Sequence, residues 1–483
     1  MKTLRASLQA VLLMLAAFAP SVRAQSPDGP WIGAISVMGM EMKIMVTFAA
    51  KGDSLSATID IPQQMAIGLP LRNVSWRPPK THFELPAGPG LAVFDGTVRG
   101  DSVNGSFMQS GYMGTFRLER GRDVRTMTPP VAEAPVPYAQ EEVTIRADTV
   151  TIAGTLTIPR APGRHPAVIL ITGSGAHNRD EEMFGFKPFR IIADYFTRHG
   201  LAVLRCDDRG MGGSTGNKSA VTTAVHAGDV LSELKFLQGR AEINPAQIGL
   251  CGHSEGGIIA PIAAAKSKDV AFIVLIAGSS VTGDRIICYQ LESQMKEAGK
   301  GEEEIQKSLA EERRVFDCVR SDSGWDSLRM ELSKDVASGY AALDPGKRKS
   351  MPDSSAFVKT TVDGMIALAR GPWFRYFIDF DPATVLVNVG CPVLAIFGGL
   401  DMQVPVSLNR KPMESALARS RTKDWNVEVL PKANHLFQTA VTGSFSEYAS
   451  LAKEFTPGFL DLMTGWITKR VAVSGGGAGG RGN

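Results

Sequence analysis

Cysteine is scarce in this 483-residue sequence, and no cysteine spacing would hold a metal ion. The five cysteines form no C-x-x-C pair and no zinc-type pattern, so a zinc module is excluded and we expect no metal. Cys206, Cys251 and Cys391 lie in or beside apolar runs typical of buried free thiols. Cys288 and Cys318 are either two unpaired helical cysteines or, in an oxidising compartment, a disulfide.

An excess of one charge is also missing. The chain has 52 basic and 49 acidic residues and a formal net charge of +3, which falls to about zero if Lys2, Arg5 and Arg23 are removed with a leader. Nothing in this balance favours nucleic acid or an anionic surface as a partner. Asp207–Ser214 is rich in glycine but lacks the G-x-x-x-x-G-K-[ST] pattern of a phosphate loop. We interpret it as a turn held by an Asp/Arg pair, and we expect no cofactor.

The apolar stretch near the N-terminus, Ala10–Ala19, is too short to span a bilayer. It follows Lys2 and Arg5 and precedes Val22-Arg23-Ala24, an order that predicts a secretory signal peptide over residues 1–24. The alternative is a buried N-terminal helix. No cysteine follows the run, so we expect an exported protein, periplasmic or extracellular, without a membrane anchor. Its mature chain should begin near Gln25.

The length predicts two or three domains. Residues 25–120 contain short alternating runs separated by glycine, aspartate, asparagine and proline, a pattern that predicts a small antiparallel β-domain, either a barrel or a sandwich. Its single histidine, His82, is interpreted as a surface residue. The domain either binds carbohydrate or substrate, or serves only for packing. Four prolines within residues 121–140 predict a semi-extended linker.

Between residues 141 and 470 apolar runs alternate with amphipathic helical patterns. Runs such as Ala167–Thr172 and Leu201–Arg205 indicate strands buried on both faces. The predicted fold class is therefore α/β, with a doubly wound, mostly parallel sheet.

Residues 284–380 interrupt this alternation with charged helical patterns over about a hundred residues, far more than a normal connection needs. They predict a helical cap over the mouth of an active site. An aromatic cluster in it either lines an acyl pocket or packs the cap onto the sheet. The cluster comprises Trp373, Phe374, Tyr376 and Phe377. Residues 471–483 are rich in glycine and are expected to be disordered.

The pattern around Gly252-His-Ser-Glu-Gly256 carries the chemistry. An apolar run precedes it and small aliphatic residues follow it, which predicts strand, sharp turn and helix. Glycine two residues to either side of Ser254 lets the two backbones approach closely, so that the serine hydroxyl is exposed on a strained turn. Such a turn is a nucleophile elbow. The alternative is a structural turn that happens to carry serine.

A serine nucleophile needs a base, and the base needs a carboxylate that holds its orientation. His435 is the only histidine after Ser254, and it follows an apolar run over residues 427–430. Asp401 follows the preceding run in the same way, which gives the chain order Ser, acid, His. We therefore predict a triad of Ser254, Asp401 and His435. Asp379 and Asp381 are the rival acids.

The oxyanion hole is predicted from backbone amides. One is the amide of Glu255, which directly follows the nucleophile, and the other is the amide of Ser174 in a loop with two glycines, with the Gly175 amide as the alternative. His177 in this loop either touches substrate or is merely exposed. His253 and the side chain of Glu255 are interpreted as groups whose hydrogen bonds brace the elbow.

Several short motifs together resemble the α/β-hydrolase superfamily over residues 142–470, and more narrowly the secreted bacterial EstD-like esterases, which are related to dipeptidyl-peptidase-like hydrolases. The motifs are Thr172-Gly-Ser-Gly175 with Asn178-Arg-Asp-Glu181, Asp208-Arg-Gly210 with Gly213-Ser214, Gly252-His-Ser-Glu-Gly-Gly257 with Ala260-Pro261, Cys391-Pro-Val with Asp401 and Gln403-Val-Pro405, and Asn434-His435. The resemblance implies ester hydrolysis through an acyl-enzyme. A β-domain ahead of the hydrolase is also similar to that group.

The expected function is that of a serine esterase acting on short or medium acyl esters. A serine peptidase with the same triad is one alternative, disfavoured because no β-propeller precedes the hydrolase region. A non-catalytic binding protein on the same fold is the other. Neither the natural substrate nor the oligomeric state follows from the sequence.

Overall fold

The computed structural model describes residues 26–472, apart from 38–39, 52–53, 62–65, 88–89, 110–111, 122–135, 184, 218–220, 343–353 and 449. The predicted leader, most of the predicted linker and the glycine-rich tail beyond Ala472 lie outside the described residues.

The N-terminal part folds as one antiparallel sheet. Its strands are β1 (Gly29–Val37), β2 (Met40–Lys51), β3 (Ser54–Ile61), β4 (Ala66–Pro70), β5 (Arg72–Arg77), β6 (Lys80–Ala87), β7 (Gly90–Arg99), β8 (Ser102–Gln109) and β9 (Tyr112–Arg120). They are hydrogen-bonded in the order β4-β3-β2-β1-β9-β8-β7-β6-β5. The ends of the sheet meet, because the amide of Leu71, just before β5, donates to Ala57 O of β3 at 2.9 Å. The small all-β domain predicted from the sequence is confirmed, and its curled sheet is barrel-like.

Aromatic side chains fill the interior of this barrel. Trp31, Phe48, Phe83, Phe94 and Phe116 are all at most 2% exposed. The rings of Phe83 and Phe94 stack at 4.7 Å, and Phe116 meets both of them edge-on. Apolar and polar residues alternate along each strand, so that these side chains point inward and polar ones point outward. This alternation specifies the register of a half-buried strand.

His82 of β6 lies on the outer face of the barrel. Its Nδ1 is 2.7 Å from Asp95 Oδ1, and its side chain is one-third exposed. The hydrogen bond to Asp95 raises the pKa of His82, burial lowers it by less, and the charge of Asp95 raises it again, so that the net pKa lies above its usual value. The sequence interpretation of His82 as a surface residue agrees with this position.

The second sheet contains the remaining strands. They are β10 (Tyr138–Ala147), β11 (Val150–Pro159), β12 (His165–Ile171), β13 (Ala202–Cys206), β14 (Ile243–His253), β15 (Val270–Ile276), β16 (Val393–Gly398) and β17 (Trp425–Leu430). The order is β10-β11-β13-β12-β14-β15-β16-β17, antiparallel at β10/β11 and β11/β13 and parallel thereafter. This is the predicted doubly wound, mostly parallel sheet. β10 begins at Tyr138, inside the stretch predicted as linker.

Helices cover both faces of this sheet. They are α1 (Pro188–Arg198), α2 (Thr223–Gln238), α3 (Gly256–Lys266), α4 (Gly283–Glu297), α5 (Glu302–Ser321), α6 (Trp325–Ala342), α7 (Ser354–Ala369), α8 (Pro372–Asp379), α9 (Ala383–Leu386), α10 (Val406–Ala418) and α11 (Phe459–Thr468). Every residue of β12 and of β16 is buried, which explains the apolar run of β12 after His165 and the apolar sequence of β16. Helix α1 packs beside α11, and α2 packs beside α3. None of the described helices is long and apolar enough to cross a membrane.

Helices α4 to α9 form the insertion between β15 and β16. Part of it has a core of its own, in which Phe316, Val319, Ala369 and Ile378 are buried together. Arg320 of α5 pairs with Asp284 of α4 at 2.8 Å and with Asp379 of α8 at 2.6 Å. The insertion also touches the loops that follow the parallel strands, since Gln290 Nε2 donates to Gln403 O at 3.1 Å. It therefore lies at the carboxyl edge of the sheet, as a cap.

Candidate active site

Ser254 occupies a strained turn between β14 and α3. Its φ is 54°, in the left-handed region that non-glycine residues rarely adopt. Its amide donates to Ile276 O at 2.8 Å, which ties the turn to the neighbouring strand. The side chain is partly exposed, whereas the residues on either side are buried. Strand β14 thus ends in a turn that presents one hydroxyl to the carboxyl edge of the sheet.

Glycine is required at both flanking positions of the motif. A Cβ on Gly252 would lie 2.0 Å from Gly256 O, and a Cβ on Gly256 would lie 2.2 Å from Ile171 O. Both obstacles are backbone atoms, which cannot rotate away. The G-x-S-x-G spacing is therefore a packing requirement of the turn in this chain.

Gly256→Ala is expected to lower the thermal midpoint of the hydrolase domain, because overpacking of a rigid site costs about 1–3 kcal/mol. Thermal unfolding followed by circular dichroism measures the change. Gly364→Ala is the matched control, because nothing lies within 4 Å of its added Cβ on helix α7. There the same substitution should raise helix stability by about 1 kcal/mol. Equal midpoints in the two variants would contradict the packing requirement.

Asp401 and His435 are hydrogen-bonded. Asp401 follows β16 and His435 follows β17, and Asp401 Oδ2 lies 2.8 Å from His435 Nδ1. The other carboxylate oxygen, Oδ1, accepts from the amides of Gln403 at 2.7 Å and Val404 at 2.8 Å. Burial raises the pKa of Asp401, but the charge and hydrogen bond of His435 and these two amides outweigh it, so that the net pKa lies below its usual value.

His435 reaches the Ser254 turn through the residue next to the serine. His253 Nε2 lies 3.0 Å from His435 O, and the two imidazole rings are 4.8 Å apart between centroids. Among the described residues no hydrogen bond joins the Ser254 hydroxyl to His435 Nε2. Catalytic hydrogen bonds are often long or misaligned before substrate binds.

The rival acids are engaged elsewhere. Asp379 ends helix α8 and pairs with Arg320 in the cap. Asp381 Oδ1 accepts from the Ala383 amide at 3.0 Å, at the start of α9. Neither aspartate contacts His435 among the described interactions. Of the three aspartates considered, only Asp401 meets the histidine.

The loop after β12 lies against Ser254. A Cβ on Gly173 would lie 3.2 Å from the Ser254 Cβ. The Gly173 amide itself is occupied, since it donates to Glu181 Oε1 at 2.6 Å. Within the described part of the chain, the amides of Ser174 and Glu255 donate to no acceptor, which leaves them available for an oxyanion. His177 turns back on this loop, with Nε2 2.8 Å from Ser174 O.

Glu181 is a site residue that sequence reasoning did not single out. Besides the Gly173 amide, its Oε1 contacts His253 Nδ1 at 3.0 Å. Its backbone is left-handed, with φ 49°. The prediction that His253 braces the elbow fits its contacts with Glu181 and with His435 O. The signals in the sequence were its place in the Asn178-Arg-Asp-Glu181 motif and its proximity to the Thr172–Gly175 loop.

Two neighbouring acids anchor the same loop. Asp208 accepts from Thr172 Oγ1 at 2.8 Å and from the His177 amide at 3.0 Å. Asp207 is paired with Arg179 at 2.7 Å. Arg209 of the same turn pairs with Asp229 of α2 at 2.6 Å. The Asp207–Ser214 turn is thus held by Asp/Arg pairs whose partners lie outside it.

Trp373 links the cap to the elbow. Its indole Nε1 donates to Glu255 Oε1 at 2.9 Å, and the same oxygen accepts from Thr223 Oγ1 at 2.6 Å. The Trp373 ring stacks on Phe377 at 4.9 Å and packs against the core of the sheet domain. Phe374 instead packs in the core of the cap, near Phe316. These contacts favour the packing role of the aromatic cluster.

Trp373→Phe is expected to lower kcat about tenfold with little change in KM, because it removes the N–H that orients Glu255 while the ring still packs. A hydrogen bond to a charged group is worth about 1.5–3 kcal/mol. Steady-state kinetics on one aryl ester measures it. Trp325→Phe is the matched control, since that indole donates to Asp322 within the cap at 3.0 Å. An unchanged kcat in Trp373→Phe would show that the link does not position the elbow.

Tyr448 lies beside the Asp401–His435 pair. It is 1% exposed, and its hydroxyl accepts from Gln403 Nε2 at 3.4 Å. Burial and the charge of Asp401 raise the pKa of Tyr448, against smaller opposing effects from Gln403 and the His435 backbone. The phenol therefore stays protonated beside the pair.

The five cysteines are free thiols. Cys288 and Cys318, for which a disulfide was one alternative, are unlinked. Cys206 and Cys251 are buried as expected, whereas Cys391, which lies in the loop that leads into β16, is only partly buried. No group of three or more histidine, cysteine or carboxylate side chains within the described residues is arranged to hold a metal ion.

The family follows from this fold and from the sequence together. Residues 168–441 match the model of the alpha/beta hydrolase family, which is more than half of the chain. This chain therefore belongs to the α/β-hydrolase family.

Its relatives include an esterase. Esterase EstD of Thermotoga maritima is 24% identical over 302 residues, 62% of this chain and 61% of that protein, so the match spans about three-fifths of the length of EstD. An uncharacterized 31.7 kDa protein of Escherichia coli, encoded in the traX-finO intergenic region, is 32% identical over 124 residues, 26% of this chain and 41% of that protein. Among solved structures, acetyl xylan esterase 1 from Thermoanaerobacterium sp. JW/SL YS485 has a TM-score of 0.39 and 15% identity, covering 70% of this chain and 86% of that one. The EstD-like resemblance predicted from the motifs is confirmed.

Proposed function

We propose that this protein is a serine carboxylic-ester hydrolase that cleaves short to medium acyl esters through an acyl-enzyme. The observation that carries the proposal is the left-handed Ser254 turn next to a buried Asp401–His435 pair. Esterase EstD as a relative supports the reaction class.

In the proposed mechanism His435 Nε2 takes the proton of Ser254 as the serine oxygen bonds to the acyl carbon. The carbonyl π electrons move to oxygen, and the amides of Ser174 and Glu255 stabilise that oxyanion. The intermediate collapses as the C–O bond to the alcohol breaks and His435 protonates the leaving oxygen. Water then repeats the sequence on the acyl-enzyme and releases the acid. Asp401 keeps the proton of His435 on Nδ1, so that Nε2 is the base.

Two measurements on the full purified chain test this function. A fluorophosphonate probe should label Ser254, which mass spectrometry of the labelled peptide identifies. An aryl acetate should then be hydrolysed with a much higher kcat/KM than an aminoacyl anilide. Higher activity on the anilide would make the protein a peptidase instead. Absence of both labelling and turnover would favour the non-catalytic binding protein.

We further propose that the protein acts after export and removal of residues 1–24. Amino-terminal sequencing of protein recovered outside the cytoplasm should read from about Gln25. An intact Met1 in that fraction would contradict cleavage.

A further inference from the structure

Behind the proposed triad lies a second histidine–carboxylate pair. Glu181 Oε1 and His253 Nδ1 are 3.0 Å apart, and their side chains are 2% and 8% exposed. Glu181 belongs to the segment that follows the Gly173–Ser174 loop, and His253 immediately precedes Ser254. The pair therefore joins two of the segments that must converge at the reacting atoms.

The hydrogen bonds fix the protonation of His253. Its Nε2 faces His435 O, a carbonyl oxygen that can only accept, so Nε2 must carry a proton. Its Nδ1 faces Glu181 Oε1, which already accepts from the Gly173 amide at 2.6 Å. A short contact of that kind is typical of an ionised carboxylate. Nδ1 must then donate as well, and the ring is an imidazolium.

The apolar surroundings of Glu181 and His253 favour contact between the two charged groups over their separation. Glu181 and His253 line a small cavity whose other walls are apolar, including Phe189, Phe437 and Phe459. Glu181 Oε2 is buried with no hydrogen-bond partner in the described structure, so the carboxylate depends on its Oε1 contacts. Attraction between opposite charges is stronger in such low-dielectric surroundings, and loss of either partner would leave the other uncompensated.

We propose that Glu181 and His253 form a buried carboxylate–imidazolium pair that holds the Gly173–Ser174 loop against the backbone of His435, so that the proton on His253 keeps the two halves of the catalytic site in register. This inference rests on the proposed esterase function for its kinetic consequences. His253 and Glu181 are positioning residues, because neither touches the reacting atoms.

Loss of the proton of His253 should limit the activity of the enzyme as the pH rises. The titratable groups that face His253 are Glu181 after β12, Asp401 after β16 and His435 after β17, of which His435 acts on it through its backbone carbonyl. Burial lowers the pKa of His253. The charges of Glu181 and Asp401 and the hydrogen bonds to Glu181 and His435 O raise it by more, so that the net pKa lies above the usual value. A raised pKa means that the pair stabilises the fold fully below the unfolded pKa, and that this contribution is lost as the pH rises through the folded pKa. Activity should fall over that same alkaline window.

The spectroscopic test uses the full chain with ¹⁵N-labelled histidine. In a pH titration, both ring nitrogens of His253 should keep their bound protons to a higher pH than the ordinary histidine pKa of about 6.5. Its signals are identified by their loss in His253→Gln. Exposed His199, which lies at the end of α1, supplies the reference signals of a histidine outside the pair. A His253 ring that loses its second proton at or below that ordinary pKa would overturn the proposal, whether or not the protein is an esterase.

The kinetic test uses Glu181→Gln and His253→Gln. Glu181→Gln keeps an acceptor for the Gly173 amide but removes the charge, so the alkaline limb of kcat should move to lower pH by about 1–3 units. The two N–H groups of His253→Gln are on one nitrogen and cannot replace donors at the two separate ring nitrogens. This variant should lose kcat by about 10²-fold, the cost of a misplacement of roughly 1 Å, with little change in KM.

His165→Gln is the matched control for the loss of a buried histidine, since His165 begins β12 at the opposite edge of the sheet. It should keep the pH profile of the wild type. An unchanged profile in Glu181→Gln overturns the proposal even if His253→Gln fails to fold. If wild-type Ser254 is not labelled by the fluorophosphonate probe, the proposed esterase function is wrong. The protonation of the His253 ring still tests whether Glu181 and His253 form an ion pair.

Discussion

Ser254→Ala should abolish fluorophosphonate labelling and lower kcat on an aryl ester by about 10⁶-fold, with KM nearly unchanged. The reason is that the serine oxygen forms the bond to the acyl carbon, and no other hydroxyl stands on this turn. Losses of this size are typical when the nucleophile of a triad is removed. The remaining rate would come from the Ser174 and Glu255 amides and from substrate binding alone.

The control for Ser254→Ala is Ser174→Ala, which removes a hydroxyl from the neighbouring loop but leaves the backbone amide in place. It should retain labelling and most of the turnover. Labelling that persists in Ser254→Ala would place the nucleophile elsewhere. Equal losses in both variants would point to damage of the loop rather than to loss of a nucleophile.

Asp401→Asn should lower kcat by about 10⁴-fold while the protein remains folded. The asparagine fills the same space, but it no longer holds the His435 proton on Nδ1, so the base has the wrong tautomer for the serine. The pKa of Asp401 lies below its usual value, so the carboxylate stays ionised into mildly acidic solution. Its contribution to stability is present above the unfolded pKa and is lost as the pH falls through the folded pKa.

The matched substitution for Asp401→Asn is Asp379→Asn, at an aspartate that pairs with Arg320 on the cap. It should keep kcat within a few-fold of the wild type. Near-full activity in Asp401→Asn, with a large loss in Asp379→Asn or Asp381→Asn, would transfer the acid role to the rival position. Stopped-flow or steady-state release of an aryl alcohol is sufficient to distinguish the three variants.

The positions of Ser254, Asp401 and His435 relative to the strands could be predicted from the sequence, because they follow local rules. Ser254 lies between glycines that the turn requires, and Asp401 and His435 each follow an apolar strand. Parallel strands end at one edge, so residues after adjacent strands such as β16 and β17 come together without any further information. The alternation of apolar runs and helices fixed the order of layers in the same way.

Other contacts could not be predicted, because they depend on pairings between distant segments. Glu181 and His253 are 72 residues apart, and Trp373 and Glu255 are 118 apart. The two members of each pair lie on different helices, strands or loops, so no spacing in the sequence predicts their contact. The aromatic cluster was ambiguous for the same reason, since an apolar side chain suits a pocket and a core equally well. The C-terminal end of the linker was also predicted too late in the chain, because Tyr138 already pairs with Pro159 between strands β10 and β11.

The left-handed backbone at Ser254 also limits how heat-resistant this protein can become. A non-glycine residue in that region costs about 1–3 kcal/mol, which the surrounding strand and helix must offset. Glycine at this position would relieve the cost and remove the nucleophile at once. Stability and turnover are therefore opposed at this residue. Stabilising changes compatible with function belong far from the elbow, on exposed cap helices such as α7.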